Sequence, residues 1–279
     1  MLRTIFKKIG GVLLANSGVL NQISNLNSQI NIYFGIFVPT EFKKRVIRFN
    51  SLVRPKSLVI RNLCRVGSKF DGGYLIPDDF KKCNKLLSVG LGKNIDFEKE
   101  FLKVSKQNSV LGADLTGDIK LKNFLHIRKN IEKKVIDNQT EITVNDFLSQ
   151  TKIEMGRCIL KVDCEGFEVD FFNDIKLDFL KRLRILVIEV HNIPIQLAKN
   201  YSNFQKMFKR IQIYFDSVHV HANNGVPLLK LDNVDLINTI EITFVNRKFY
   251  KTRNVMNFRG PTLLDMPNIK FLSDHQFTL

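Results

Sequence analysis

From about Leu86 onward the chain is a succession of short β-rich runs, several of them almost wholly apolar, that stop at a glycine, an acid or a histidine. These runs cover residues 85–90, 110–115, 141–144, 158–164, 184–191, 217–222 and 239–246. Apolar runs of this length predict strands covered on both faces, as in a parallel sheet. Between them, residues 97–107, 124–132, 169–179 and 203–214 carry helical spacing. Strands alternating with helices predict right-handed βαβ units and a doubly wound α/β sheet of seven strands. No long helical pattern joins the last two strands, so the final one is free to run antiparallel beside its neighbour.

Composition narrows the setting. An apolar share of 44% in 279 residues supports a sizeable core and argues against general disorder. No stretch approaches the roughly 18–20 apolar residues of a spanning helix. The basic start, Met1 to Lys8, runs into a stretch broken by Asn16, Ser17 and Gly18, so it is not read as a secretory signal. Cys64, Cys83, Cys158 and Cys164 form no C-x-x-C pair, which excludes that type of zinc site and fits a reducing, cytoplasmic compartment.

The net charge of +16 is uneven: residues 1–60 hold nine basic residues against Glu41 alone, a net of +8. Such a segment favours an anionic neighbour, whether acidic lipid, anionic glycan, phosphate or nucleic acid. The alternative is a chain-wide drift toward Lys, Asn, Ile and Phe. Leu2, Ile5, Phe6, Ile9, Val12 and Leu13 fall at loosely helical spacing. Residues 1–60 therefore read as a basic, helical N-terminal extension, packed on the domain or lying on a membrane. Residues 61–279 read as the main domain.

The chemistry concentrates where strands end. In Ser88-Val89-Gly90-Leu91-Gly92 a strand runs straight into a G-x-G turn, the place where α/β folds bring a nucleotide or adenosyl ligand against the backbone. Asp114 follows 22 residues after Gly92, at the tip of the next strand. An acid there can accept bonds from both ribose hydroxyls, or it can cap the following helix. The densest segment is Lys161-Val162-Asp163-Cys164-Glu165-Gly166-Phe167-Glu168, which sends two carboxylates of the same parity, Asp163 and Glu165, past the end of a buried strand. Paired carboxylates can act as a general base, as metal ligands or as hydroxyl acceptors. Glu189 and His191 end the next strand, and His219 and His221 share one face of another. There is no G-x-x-x-x-G-K-[ST], which disfavours a P-loop hydrolase.

The block Leu160–Glu168 resembles the K-x-D-x-E-G-x-E signature of the FkbM-type methyltransferases, which use S-adenosylmethionine. Ile188-Glu189-Val190-His191 is similar to that family's I-E-x-H strand. Arg65-Val66-Gly67, Asp71-Gly72-Gly73-Tyr74, the G-x-G strand, Asp96-Phe97-Glu98, His219–Asn224 and Leu264-Asp265-x-Pro267-Asn268 resemble a bacterial branch associated with surface glycans. The resemblance spans about Arg65 to Asn268. It implies a Rossmann-like class I methyltransferase with a seven-stranded, mostly parallel sheet. Asp71, Gly73, Gly90, Gly92, Asp114 and Asp163 would then contact the cofactor, with Asp114 on the ribose. Two departures stand out: Ala113-Asp114-Leu115 replaces an F-E-P, and Asn94 stands where many methyltransferases carry a further glycine.

The implied reaction is methyl transfer to a sugar hydroxyl of a surface glycan or its lipid-linked precursor, with polysaccharide biosynthesis as the setting. Methyl transfer is an in-line displacement that requires alignment of the acceptor oxygen and removal of its proton. Asp163, His191 and His221 are the catalytic candidates, one histidine acting as base. Glu165, His219 and Asn223 are the acceptor candidates, and Glu165 could assist a divalent metal. Two rivals stay open. One is a metal-dependent glycosyltransferase that holds a nucleotide sugar through Asp163 and Glu165. The other is an RNA methyltransferase, which the charge favours but the lack of an N-P-P-Y-type tetrapeptide disfavours. On balance nucleic acid is not the expected partner, and the basic extension suits an acceptor at the inner membrane face.

Overall fold

The structure is a computed structural model and describes residues 40–279; the stripe from Leu2 to Leu13 lies outside the described residues. Seven strands form the central sheet: β1 (Lys85–Val89), β2 (Ser109–Ala113), β3 (Phe124–Ile127), β4 (Cys158–Val162), β5 (Ile185–Val190), β6 (Phe215–Ala222) and β7 (Ile240–Asn246). Their order across the sheet is β3-β2-β1-β4-β5-β7-β6. All neighbours pair in parallel except β7, which is antiparallel to both β5 and β6. This is the Rossmann-like class I methyltransferase arrangement, including the expected reversed final strand.

Alternate residues of each strand enter two cores. On one face Leu87, Leu111, Leu160 and Leu186 pack with Phe171, Phe172, Phe204 and Phe208. Helix α1 (Thr40–Val53) joins that face through Val46, Phe49 and Val53, all buried. On the other face Leu86, Val110, Ile159 and Val187 pack under helix α2 (Asp96–Val104) and under the hairpin Leu63–Gly67/Gly73–Pro77. Burying apolar side chains on both faces is what drives such strands together, at about 25 cal/mol per Å² removed from water. The second face changes character toward the margin where the parallel strands end and β7 begins. There Ser88, Lys161, Glu189, Glu241 and His221 are buried in place of aliphatics.

A buried clamp fixes the opposite edge of this layer. Asp79 accepts hydrogen bonds from Arg184 Nη2 (2.6 Å) and from the Tyr250 hydroxyl (2.6 Å). Burial opposes the charge on Asp79, yet these two donors hold its carboxyl below the usual range.

The sheet differs from the expectation in one strand. Residues 124–132, read as a helix, instead form β3 and then Asn130–Glu132, which pairs in parallel with Glu141–Thr143 in a separate two-stranded sheet. Phe124, Ile127 and Ile131 recur at three- and four-residue intervals, which imitates a helical stripe. β3 is an edge strand, and Leu125 is exposed there, so the alternation that marks a strand is weak. The run at 141–144 is accordingly not part of the seven, and the expected helix at 169–179 is two short ones, Glu168–Asp174 and Leu177–Arg182. Among the described residues no helix is long and apolar enough to cross a membrane.

Candidate active site

Strand register assembles the site. His221 is the Cα partner of Glu241, and Glu241 is the partner of Glu189. One residue beyond the registered pairs, the same transverse line passes through Asp163, Gly90 and Asp114: Asp163 N–H donates to Val89 O (2.9 Å) and Gly90 N–H to Ala113 O (3.0 Å). Residues on one such line face the same side of a sheet. Six residues from six different strands or strand ends thus share the polar margin of the second face.

At one end of the line is the glycine turn. Gly90 has φ +74°, and a Cβ there would lie 1.6 Å from Asp163 O, so only glycine lets the ends of β1 and β4 approach. Gly92 has φ +58°, and a Cβ there would meet nothing within 4 Å, which leaves its outer side open. Lys161, buried, donates from Nζ to Gly90 O (3.0 Å). Asp114 Oδ2 accepts the amides of Leu91 (2.9 Å) and Gly92 (3.0 Å), and its Oδ1 accepts the amide and hydroxyl of Thr116. Burial works against this carboxylate's charge, but the bonds from Thr116, Gly92 and Leu91 win and hold its pKa below the usual value. A carboxylate offers about four acceptor positions, so all of them are engaged here. Binding a ribose hydroxyl would mean releasing one of them. Thr116, two residues on and exposed, is the one free to turn away.

At the centre lies a cavity of about 300 Å³ lined by Asp71, Asp163, Glu165, Glu189, His191 and Asn223, together with Gly225, Val226 and Thr239. Tyr74, from the hairpin above, donates to Asp163 Oδ2 (3.1 Å). Asn223 Nδ2 donates to Glu189 Oε1 (2.8 Å). His191 enters through its Nε2, which lies 3.6 Å from Glu165, 3.8 Å from Asp163 and 3.9 Å from Glu189. Its other nitrogen, Nδ1, donates to Oε1 of the buried Glu168 (2.9 Å), whose same oxygen accepts the amides of Cys164 (3.2 Å) and Gly166 (3.0 Å). The second oxygen of Glu168 has no partner among the described residues.

Acidic groups dominate the cavity. Burial pushes the Glu189 carboxyl well up, and the neighbouring Asp163 and Glu241 push it further. Burial also raises Asp163, against the opposing pull of Lys161 and His191. Burial alone would lower His191, but the hydrogen bond and charge of Glu168, with Glu189 and Asp163 nearby, raise it to about 9. Asp163, Glu189 and His191 each offer a donor atom within 4.8 Å of the others, as do Asp71, Glu189 and Glu241. Either set could hold a divalent cation.

The expected site residues therefore separate. Asp71, Asp163, Glu165, His191 and Asn223 line the cavity, and Gly90, Gly92 and Asp114 form the turn beside it. Gly73 does not face either: it closes the hairpin, where a Cβ would sit 1.9 Å from Ser68 O. His221 lies one layer behind, its Nδ1 on Glu241 (3.2 Å) and its Nε2 on Asp274 (3.0 Å). Both nitrogens are occupied. Burial opposes its charge, yet Asp274 and Glu241 raise it to about 10, so it holds Glu241 in place and has no lone pair for a base. His219 is buried with Nε2 2.9 Å from Asp265 Oδ1, also off the cavity. Tyr74, Lys161, Glu168, Glu189 and Glu241 belong to the site although sequence reasoning assigned them no role. Strand parity offered the signal for two of them, since Lys161 shares a face with Asp163 and Glu189 with His191.

A model of the methyltransferase FkbM domain matches residues 76–219 of the 279, more than half of the chain. The chain belongs to the FkbM methyltransferase family. This match removes the glycosyltransferase rival. No curated protein matches at a significant level. Among solved structures, this FkbM protein is similar to one from Streptococcus mutans assigned as a methyltransferase and crystallised with SAH, at 14% identity and TM-score 0.35, over 60% of this chain and 93% of that one. It is also similar to the Methanococcus jannaschii fibrillarin pre-rRNA processing protein, at 9% identity and TM-score 0.37, over 68% and 87%. The plantazolicin methyltransferase BpumL in complex with SAH matches at 11% identity and TM-score 0.31, over 58% and 75%. Scores this low leave the fold of the FkbM protein resting on its own strand order and on the family match.

Proposed function

We propose that the protein is an S-adenosylmethionine-dependent O-methyltransferase acting on a neutral sugar hydroxyl of a surface glycan or its precursor, in the glycan-associated branch of the family. The observation that carries this is His191: its Nδ1 is fixed by buried Glu168, and its Nε2 points among hydroxyl-accepting carboxylates beside an open glycine turn. The residues present fit the cofactor. The open side of Gly92 leaves room for it, Asp114 would hold the ribose, and the acid-lined cavity suits a sulfonium cation. When bound, S-adenosylmethionine supplies an electrophilic methyl group.

The chain's own residues do the rest. Asp163, Glu189 and Asn223 accept or donate to sugar hydroxyls and fix the reacting one. Nε2 of His191 removes its proton, once the ring has lost its own to reach the basic form. Tyr74 and Lys161 hold Asp163, and Glu168 stabilises the imidazolium that forms. The cavity's acids repel phosphodiesters, which disfavours RNA as the acceptor. A divalent cation on Asp163, Glu189 and His191 is a second means of lowering the acceptor's pKa, but it would occupy the same nitrogen as the base.

Calorimetry with S-adenosylhomocysteine is the first test, and binding at micromolar affinity is expected. Mass spectrometry of glycans from a deletion strain is the second, with loss of one methyl group expected. Absence of heat with either cofactor form would overturn the assignment.

A further inference from the structure

We propose that the rim of the cavity docks on an anionic lipid bilayer, with the cavity mouth turned toward the membrane. The segment 259–273 exposes Arg259 and Lys270, and the neighbouring hairpin turn exposes Lys69. The segment's one acid, Asp265, is withdrawn, with its side chain 1% exposed beside His219. The same segment exposes Leu263, Leu264, Ile269 and Phe271, the last at 88%. Apolar tips flanked by cations are the pattern that enters a headgroup region. The cations meet lipid phosphates, and the apolar groups reach the acyl boundary.

Contacts tie this patch to the cavity. Lys270 Nζ lies 5.7 Å from the Phe70 ring and 5.8 Å from the Phe271 ring, and Lys69 Nζ lies 5.9 Å from Phe70, so the four residues form one cluster. Neighbouring Asn268 donates to Glu241 Oε1 (2.7 Å) behind the cavity. Ile269 N–H donates to Asn224 Oδ1 (2.8 Å), and Asn224 Nδ2 donates to Leu272 O (3.1 Å). Phe70 precedes cavity-lining Asp71. The mouth thus carries the cations Lys69 and Lys270 beside the exposed carboxylates Asp71 and Glu165, with Glu189 and Glu241 buried deeper. A sugar joined to lipid through phosphate fits that arrangement, phosphate on Lys69 and Lys270 and neutral sugar inside. This last step rests on the reading of the acceptor given above; the docking does not.

The test is co-sedimentation of the full chain with vesicles of phosphatidylcholine, with and without phosphatidylglycerol, for wild type, the double variant K69E/K270E, and F271S. Wild type is expected to partition onto the anionic vesicles alone. The double variant should lose about tenfold or more in partitioning, since each basic residue near a charged surface contributes comparably. F271S should weaken binding with no change in charge. S-adenosylhomocysteine affinity is measured on each protein. Its retention shows that the variants are folded, and its absence in wild type would defeat the cofactor reading while leaving the vesicle result intact. Failure of wild type to sediment, or equal sedimentation of all three, would overturn the proposal, the latter by placing the lipid contact elsewhere in the chain. So would a wild-type dimer that F271S makes monomeric, because a second copy would then cover the patch.

Discussion

Replacing Glu168 with Gln isolates the electrostatics of the base. Oε1 of Glu168 receives His191 Nδ1–H and the amides of Cys164 and Gly166, while Oε2 is unpartnered. A glutamine carbonyl can keep all three acceptor contacts, so the substitution removes charge with little change of shape. His191 titrates at about 9 in the wild type, against an ordinary value of 6.5, with Glu168 the main group raising it. That interval corresponds to about 3 kcal/mol favouring the protonated ring in the folded state. The sign follows: this stabilisation is fully present below about pH 6.5 and is lost as pH rises through about 9. E168Q should therefore bring the His191 titration down by one pH unit or more and flatten the fall in stability over that range. The assay is long-range ¹H–¹⁵N correlation NMR on the imidazoles, manageable with five histidines in the chain, alongside urea titrations at several pH values. A wild-type His191 that titrates near 6.5, or the same value in both proteins, would refute the reasoning.

Gly90→Ala combines φ +74° with a Cβ 1.6 Å from Asp163 O, and should cost at least about 3 kcal/mol of stability in denaturant titration. D114N removes the charge that anchors the glycine turn, and should weaken S-adenosylhomocysteine binding by about tenfold or more in calorimetry. D79A leaves Arg184 buried without its carboxylate and should destabilise the fold by about 3–5 kcal/mol, read from the urea midpoint. In the same NMR experiment the His221 ring should stay protonated to about 10, since Glu241 and Asp274 hold it charged.

The sheet was legible because β1, β2, β4, β5, β6 and β7 are buried, and all of these but β6 are rich in aliphatic residues. β3 was not, since an edge strand needs only one covered side and its exposed Leu125 blurs the alternation. Within the site, residues that end strands were visible, but those brought in from other layers were not. Tyr74 reaches Asp163 across a hairpin 89 positions away in sequence, and Glu241 arrives on a strand running the opposite way. His219 and His221 illustrate the converse: sequence shows that they share a face, but only packing shows that Asp265 and Asp274 already occupy them.

Because β7 is reversed, the connection from Ala222 to Ile240 leaves the sheet and re-enters it at the same margin. The two ends are pinned together by Asn223 N–H on Thr239 O (3.0 Å), and both contribute walls to the cavity. Between those ends Asn224 is bonded to Ile269 and Leu272, and Leu231, Leu236 and Ile237 are buried in the core, so this part of the loop belongs to the fold. Gly225 and Val226 instead face the cavity, and exchanging residues 225–227 is a direct route to altered acceptor choice while Glu241 and Glu189 stay opposite one another.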